Sequence, residues 1–382
     1  VETKLGKEKF VEALELYHTR YRHSNASRAQ WVECMSEVHG EDLSTMAQAW
    51  LKQASYPKIS VSGAYNADSQ TYVISGSQTG FSDLPWQFPF TVALLDSAGR
   101  EMAEQRFWID SENFELTFEA IISEPFVVSY NRNYSAFAKV QAFYTVEQLE
   151  FLVLHDSDVC SRYMAFYQLS ENLKMQLLQN PEMSVDPKFV DLYLKLLSNR
   201  ELRDKLGTVD LANFESVEDP NYKYRFDLLY KVNKKIRRAI AESGKDMLCN
   251  MYSEYLEKDF DGGFVEAEGR RIKARAVSNL CLGILAELDE QFVWDLIKTQ
   301  YQNPKSASSR VRAFSLYLNS SAPDKLEILD NEYKYAKTNL VAWETFLYAV
   351  AANNSDDHLE IIKRIEKSDN FRIDQANDQR GL

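Results

Sequence analysis

Zinc chemistry on a helix needs two histidines four residues apart, so that both imidazoles face one ion. The five histidines, His18, His23, His39, His155 and His358, offer no such pair and no H-E-x-x-H pattern. They read as packing or surface residues. The four cysteines, Cys34, Cys160, Cys249 and Cys281, are widely spaced, form no C-x-x-C pair, and read as reduced, buried thiols. No G-x-x-x-x-G-K-[ST] loop, G-x-G-x-x-G turn or G-x-S-x-G elbow occurs, which removes the usual phosphate cradles and the serine-hydrolase nucleophile. Asp259-Phe-Asp261-Gly262-Gly263 starts like a calcium loop. It lacks the third oxygen ligand before the glycine and a glutamate at the twelfth position, so it reads as an acidic turn. The chain is therefore predicted to hold no catalytic residue and no metal ligand.

Charge narrows the partners. With 44 basic against 57 acidic side chains, the net charge of −13 repels nucleic acid and anionic membranes unless a local patch opposes it. Two patches qualify, Lys234-Lys235-Arg237-Arg238 and Arg270-Arg271-Lys273-Arg275, and both read as solvated helix faces beside acidic neighbours. No apolar run reaches the ~18 residues of a membrane span and no signal-peptide pattern opens the chain, so the expectation is a cytoplasmic protein without nucleic-acid or membrane partners. Sequons at Asn25, Asn133, Asn319 and Asn353 would matter only on a secreted chain.

The elements that carry these residues fall into three stretches. Phe10, Leu14, Tyr17 and Tyr21 make one helical stripe, and Ser27 with Gln30 forms a capping box for a helix bearing Trp31, Met35 and Val38 that Gly40 ends. A third short helix, with Met46 and Trp50, stops at Tyr56-Pro57. So few residues make a poor independent core; these helices are expected to dock on a larger body outside the chain. From Lys58 the apolar period becomes two. Ile59 to Tyr65, Thr71 to Ser77, Phe88 to Leu94, Arg106 to Ile109, Phe114 to Phe118 and Phe126 to Tyr130 read as short antiparallel strands of an immunoglobulin-like β-sandwich.

A second capping box, Thr145 with Gln148, returns the chain to helix. Asp186-Pro187 and Asp219-Pro220 mark helix starts, and Gly244 is placed as a helix stop between helices at 220–243 and 246–258. Successive helices on short polar loops predict an all-α solenoid of armadillo/HEAT-like kind, without a crisp sequence repeat. The fold class is mixed and multidomain: a helical segment over 1–57, a sandwich over 58–144 and a helical-repeat domain over 145–382.

This order resembles the carboxy-terminal half of bacterial aminopeptidase N, a family of zinc metallopeptidases of the thermolysin-like gluzincin group. Leu5-Gly-Lys-Glu-Lys-Phe10 with Leu16-Tyr17 is similar to the stretch closing that family's catalytic domain. Trp50-Leu-Lys-Gln53-Ala-Ser55-Tyr-Pro57 resembles its W-x-x-Q-x-G-x-P junction, with Ser55 in place of the glycine. Phe88 to Gly99, Arg275 to Ala286 and Phe371 to Leu382 are similar to further pieces.

The resemblance implies that this chain is a piece cut at both ends. The H-E-x-x-H zinc site, the G-x-M-E-N strand that holds the substrate amine and the oxyanion tyrosine would all lie upstream of Val1. It implies zinc in that missing domain, peptides as substrates of the intact enzyme, docking of this portion onto the catalytic domain, and no activity for this chain alone. Arg380, in Asn377-Asp-Gln-Arg380-Gly-Leu382, matches an arginine of the family's N-P-N-R-x-R segment near the substrate chamber, where it would attract a peptide carboxylate. The alternative for Arg380 is an ordinary surface arginine, since Ala376 and Asp378 depart from the pattern. The rival for the whole chain is a stand-alone protein-interaction module without peptidase activity.

Overall fold

The structure, a computed structural model, describes residues 1–207, 211, 217–256 and 260–382. It divides into two compact units, Val1–Ser170 and Glu171–Leu382. The turn at Asp259 falls partly outside the described residues.

In the first unit, helices Lys7–Tyr21, Arg28–His39 and Ser44–Lys52 bury Ala13, Val32, Met35 and Met46 against one another. The Ser27 capping box forms as expected: the Gln30 amide N–H donates to Ser27 Oγ at 3.3 Å and the Ser27 N–H donates to Gln30 Oε1 at 2.7 Å. Their docking body is not wholly outside the chain, which corrects the sequence expectation. Trp108 of the sandwich packs into the helical cluster, and the junction residues Trp50 and Gln53 reach across to the 82–87 loop. The Trp50 indole donates to the Gln87 carbonyl at 2.8 Å. The Gln53 amide donates to the Leu84 carbonyl at 2.8 Å and accepts from the Ser82 N–H at 2.7 Å. The W-x-x-Q spacing is thus a clasp, with two side chains one helical turn apart on one face.

The sandwich has two sheets. One runs in the order β5-β2-β1-β7, from Asn113–Phe118, Thr71–Thr79, Lys58–Asn66 and Lys139–Ala142; the other is β4-β3-β6, from Glu101–Ile109, Phe88–Leu95 and Val127–Tyr130. Between them lie Ile59, Ile74, Trp86, Phe88, Phe90, Val92 and Leu94, all essentially inaccessible. The expectation of antiparallel strands fails at one pair, because β7 lies parallel to β1 with Lys58 opposite Lys139. After β6 the chain leaves its sheet through a turn in which Asn131, Asn133 and Tyr134 take positive φ, and it rejoins the other sheet beside β1. The Asn131 side chain holds that turn, accepting from the Ala136 N–H at 2.8 Å. Helix Val146–His155 follows, its Thr145 capping box formed.

The second unit is all helix among the described residues. Its principal elements are Pro187–Ser198, Phe226–Leu256, Phe264–Leu285, Gln291–Gln302, Ala307–Leu318, Lys325–Ala336, Leu340–Ala351 and His358–Glu366. Asp186 caps its helix as expected, accepting from the Lys188 N–H at 2.9 Å. Two expectations are corrected. Asp219-Pro220 opens a turn, not a helix, and the helix begins at Phe226. Gly244 ends nothing: it lies inside the continuous Phe226–Leu256 helix, where a Cβ would stand 2.4 Å from Leu194. The missing side chain admits a neighbouring helix, a demand no local pattern reveals. Short helices at Arg200–Leu206 and Ala376–Gly381 were not foreseen.

Successive turns are tied by polar bonds. The Asp289 carboxylate accepts from the Ser321 N–H at 2.9 Å, and Asn319 Oδ1 accepts from the Asn354 N–H at 2.6 Å. Lys325 pairs with Asp357 at 2.7 Å and Lys298 with Asp324.

Candidate functional site

Among the described residues no group of three His, Cys, Asp or Glu side chains is placed to hold a metal ion. The histidines are used locally: His358 Nδ1 lies 2.8 Å from the Ser355 carbonyl, and the His155 ring packs on Phe151 at 4.6 Å between centroids. Cys34 and Cys281 are buried thiols, whereas Cys160 and Cys249 are half-buried, a partial correction of the reading that all four are buried. Burial pushes the Cys281 thiol up to about 12, so it carries no thiolate at neutral pH.

In the first unit the concentrated charge is a structural cluster. Arg132, buried in the turn after β6, donates to Glu101 at 2.9 Å, to Asp156 at 3.1 Å, and to Glu104 and Ser157. The Ser157 hydroxyl and then Arg132 hold Glu101 below the usual carboxylate range, while burial raises Asp156.

The two basic patches have different fates. Arg275 pairs with Glu268 at 2.9 Å, Arg271 approaches Glu268 at 3.5 Å, and Arg270 donates to the Asp261 carbonyl, so that patch is a solvated, self-neutralised face. In the other, Lys235 donates to the Pro181 carbonyl at 2.6 Å and Arg238 pairs with Glu242 at 2.8 Å. Lys234 and Arg237 are among the residues that line a polar basin of about 470 Å³. Helix Ala307–Leu318 brings Arg312 to it, and the end of Phe264–Leu285 with its following turn brings Glu287 and Asp289. Arg312 is the residue that sequence reading missed. It stands far along the chain from Arg237, and its only local signal is Gly283, an unexplained glycine inside a helix. Arg312 Nη2 lies 2.2 Å from the point a Gly283 Cβ would occupy.

Arg380 sits in the last turn of Ala376–Gly381, exposed, with no ion pair or side-chain hydrogen bond among the described residues. Its neighbour Asp378 is buried and accepts from the Trp343 indole at 3.1 Å and the Arg372 N–H at 2.8 Å, anchoring the segment that presents it. Among the described residues, no helix is long and apolar enough to cross a membrane.

A family profile described as "Domain of unknown function (DUF3458_C) ARM repeats" matches residues 146–382, well over half of the chain. The chain belongs to this DUF3458_C family. A companion profile, "Domain of unknown function (DUF3458) Ig-like fold", matches residues 55–142. The two descriptions agree with the sandwich and helical-repeat fold. The whole chain is similar to the carboxy-terminal part of aminopeptidase N. It is 22% identical to that of Escherichia coli strain K12 and 24% identical to that of Haemophilus influenzae, covering 100% of this chain and 45% of each relative. Puromycin-sensitive aminopeptidase of Caenorhabditis elegans is 27% identical over 41% of this chain. The crystal structure of Legionella pneumophila aminopeptidase A in complex with aspartic acid superposes with a TM-score of 0.84 at 21% identity, covering 100% of this chain and 45% of that one, a likeness of fold. This DUF3458_C chain therefore spans about half the length of the relatives it matches.

Proposed function

We propose that this chain is the non-catalytic carboxy-terminal portion of a zinc aminopeptidase whose intact form removes N-terminal residues from peptides in the cytoplasm. Residues 1–57 close a catalytic domain that holds the zinc, 58–144 form a spacer docked on it, and 145–382 form the lid of the substrate chamber, with Arg380 on its inner wall. The observation that carries this reading is the full-length match to aminopeptidase N from two bacteria, each covered over 45% of its length. An exposed, unpaired guanidinium at Arg380, on a segment anchored by Asp378, suits attraction of a peptide carboxylate.

The chain alone, assayed with an amino-acid anilide and added zinc, should show no turnover; zinc-dependent hydrolysis would overturn the account. The reading frame upstream of Val1 should encode H-E-x-x-H, and a start codon at that point would sink the proposal. In the intact protein, Arg380→Ala should raise KM for peptides and leave kcat for an anilide unchanged.

A further inference from the structure

Helices Arg28–His39 and Ser44–Lys52 each carry a second stripe of small and apolar side chains besides the one that meets the helical core. Ala29, Val32 and Ser36 follow one another by three and four residues, and so do Ser44, Ala47 and Leu51, which puts each trio on one face of its helix. The two faces wall an open groove of about 700 Å³, and its described lining comes entirely from residues 27–52. Leu51 on its rim is 47% accessible, and Ala29 is exposed. Small side chains along both walls let a third helix seat close, its ridge filling the furrow between the other two.

The two ends of the groove differ in charge. At one end the connection between the helices holds Glu41 and Asp42, and Asp42 accepts from the Ser44 N–H at 2.9 Å. At the other stand Lys52 and Arg28, whose guanidinium donates to the Leu51 carbonyl at 3.4 Å. A helix is partly positive at its amino end and partly negative at its carboxyl end, so this pattern selects one direction. The amino end belongs at Asp42 and the carboxyl end at Arg28 and Lys52, which runs parallel to Ser44–Lys52. That helix has nine residues, about 13 Å at 1.5 Å each, so the groove takes between two and three turns of an occupant. Lys4 Nζ lies 3.8 Å from Glu41 Oε2, so the first residues of the chain stand beside the acidic mouth.

We propose that this groove seats an amphipathic helix of the catalytic portion that the proposed enzyme carries ahead of Val1, laid parallel to Ser44–Lys52 with its apolar ridge on Ala29, Val32, Ala47 and Leu51. This rests on the aminopeptidase reading and adds to it the surface and the direction of the contact. The aminopeptidase N relatives supply room for such an occupant, since more than half the length of each lies outside the part that this chain matches.

The test is native-state hydrogen exchange on this chain and on the intact protein side by side, with peptidase activity read on the same intact sample. Amides over 28–36 and 44–51 should exchange at least tenfold more slowly in the intact protein. Leu51→Asp changes a side chain that is half exposed in this chain, so it should leave the melting temperature of the chain unchanged while removing most of that protection from the intact protein. Ala29→Asp lies in the first turn of its helix, where an acidic side chain is favoured, so the chain should melt no lower and the intact protein should lose the same protection. Equal exchange in the two proteins overturns the docking, and peptidase activity in that sample leaves the enzyme reading standing. Protection without activity upholds the docking and sinks that reading. Protection that survives both substitutions, or protection of this chain that rises with its own concentration and so assigns the groove to a second copy, also overturns the proposal.

Discussion

Glu332 offers the sharpest energetic test of the helical unit. Its side chain is 5% accessible, and one oxygen, Oε2, accepts from the Tyr301 hydroxyl at 2.8 Å and from Arg310 Nε and Nη2 at 3.0 and 2.8 Å. The Arg310 guanidinium lies 4.0 Å from the Tyr335 ring centre and 5.1 Å from that of Tyr301. Glu332→Ala leaves a cation stacked between rings without its carboxylate. Breaking a buried pair from one side costs about 3–5 kcal/mol. Arg310 is 25% accessible and regains part of its hydration, which lowers that to about 2–3 kcal/mol. The orphaned Tyr301 hydroxyl adds about 1 kcal/mol, so the expected loss is about 3 kcal/mol. Replacing both partners, Arg310→Leu with Glu332→Leu, should cost about 1 kcal/mol or less, because no charge is then left buried. Since the chain has two compact units, the measurement should be residue-resolved hydrogen exchange under native conditions, following amides in Gln291–Gln302 and Lys325–Ala336. A loss under 1 kcal/mol for Glu332→Ala, or a double variant equal to the sum of the singles, would refute the reasoning.

Gln53→Ala removes the acceptor of the Ser82 N–H and the donor to the Leu84 carbonyl, and should cost about 2 kcal/mol in urea unfolding, with faster exchange at Ser82. Gly244→Ala gains up to about 1 kcal/mol of helix propensity but drives a methyl into Leu194, so a net loss of about 1 kcal/mol in thermal unfolding is expected. Burial lowers Lys174 to about 8 from an ordinary 10.5, so the unfolded chain holds that proton to higher pH than the folded one. Stability should therefore climb between those two values, whereas Lys174→Met should show no such climb. Asp324, lowered by Lys298 and Tyr317, and Asp357, where Lys325 and Ser355 outweigh burial, contribute stability that is full above the ordinary value of 3.8 and is lost as pH falls below it. Asp324→Asn with Asp357→Asn should flatten that acid limb in melts from pH 5 to pH 2.

Features whose causes are local were legible in the sequence. The capping boxes at Ser27 and Thr145 depend on four consecutive residues, and both formed. The change of period at Lys58 marks the first strand because burial on one face of a pleat is written in alternation. What misled was local chemistry recruited by distant partners. Gly244 carries the signal of a stop but answers to Leu194, and Asp219-Pro220 carries the signal of a helix start but opens a turn. The parallel placement of β7 depends on which sheet the chain returns to, which alternation cannot encode. At the basin, Lys234 and Arg237 were visible as a basic run, yet the Arg312 that lines the same cavity is supplied by another helix. The repeat of the helical unit was hidden for a related reason: its regularity lies in the Asp289–Ser321 and Asn319–Asn354 bonds between turns, not in a recurring apolar motif.

The clasp at Trp50 and Gln53 is asymmetric in a way that bears on drift. Its donated bonds to the loop end on the main-chain carbonyls of Leu84 and Gln87, and Gln53 Oε1 accepts from the main-chain N–H groups of Ser82 and Asp83 and from the Ser82 hydroxyl at 3.2 Å. Every residue type offers the carbonyl, and every type but proline offers the N–H. Apart from the Ser82 hydroxyl and the Trp86 ring beside Trp50, the loop can therefore exchange its side chains without losing these bonds, while the helix can exchange neither of its two. A recognition written mainly on one side leaves a motif on the helix and a fainter trace on the strand side, so related chains would keep the tryptophan and glutamine over a loop they share only in part.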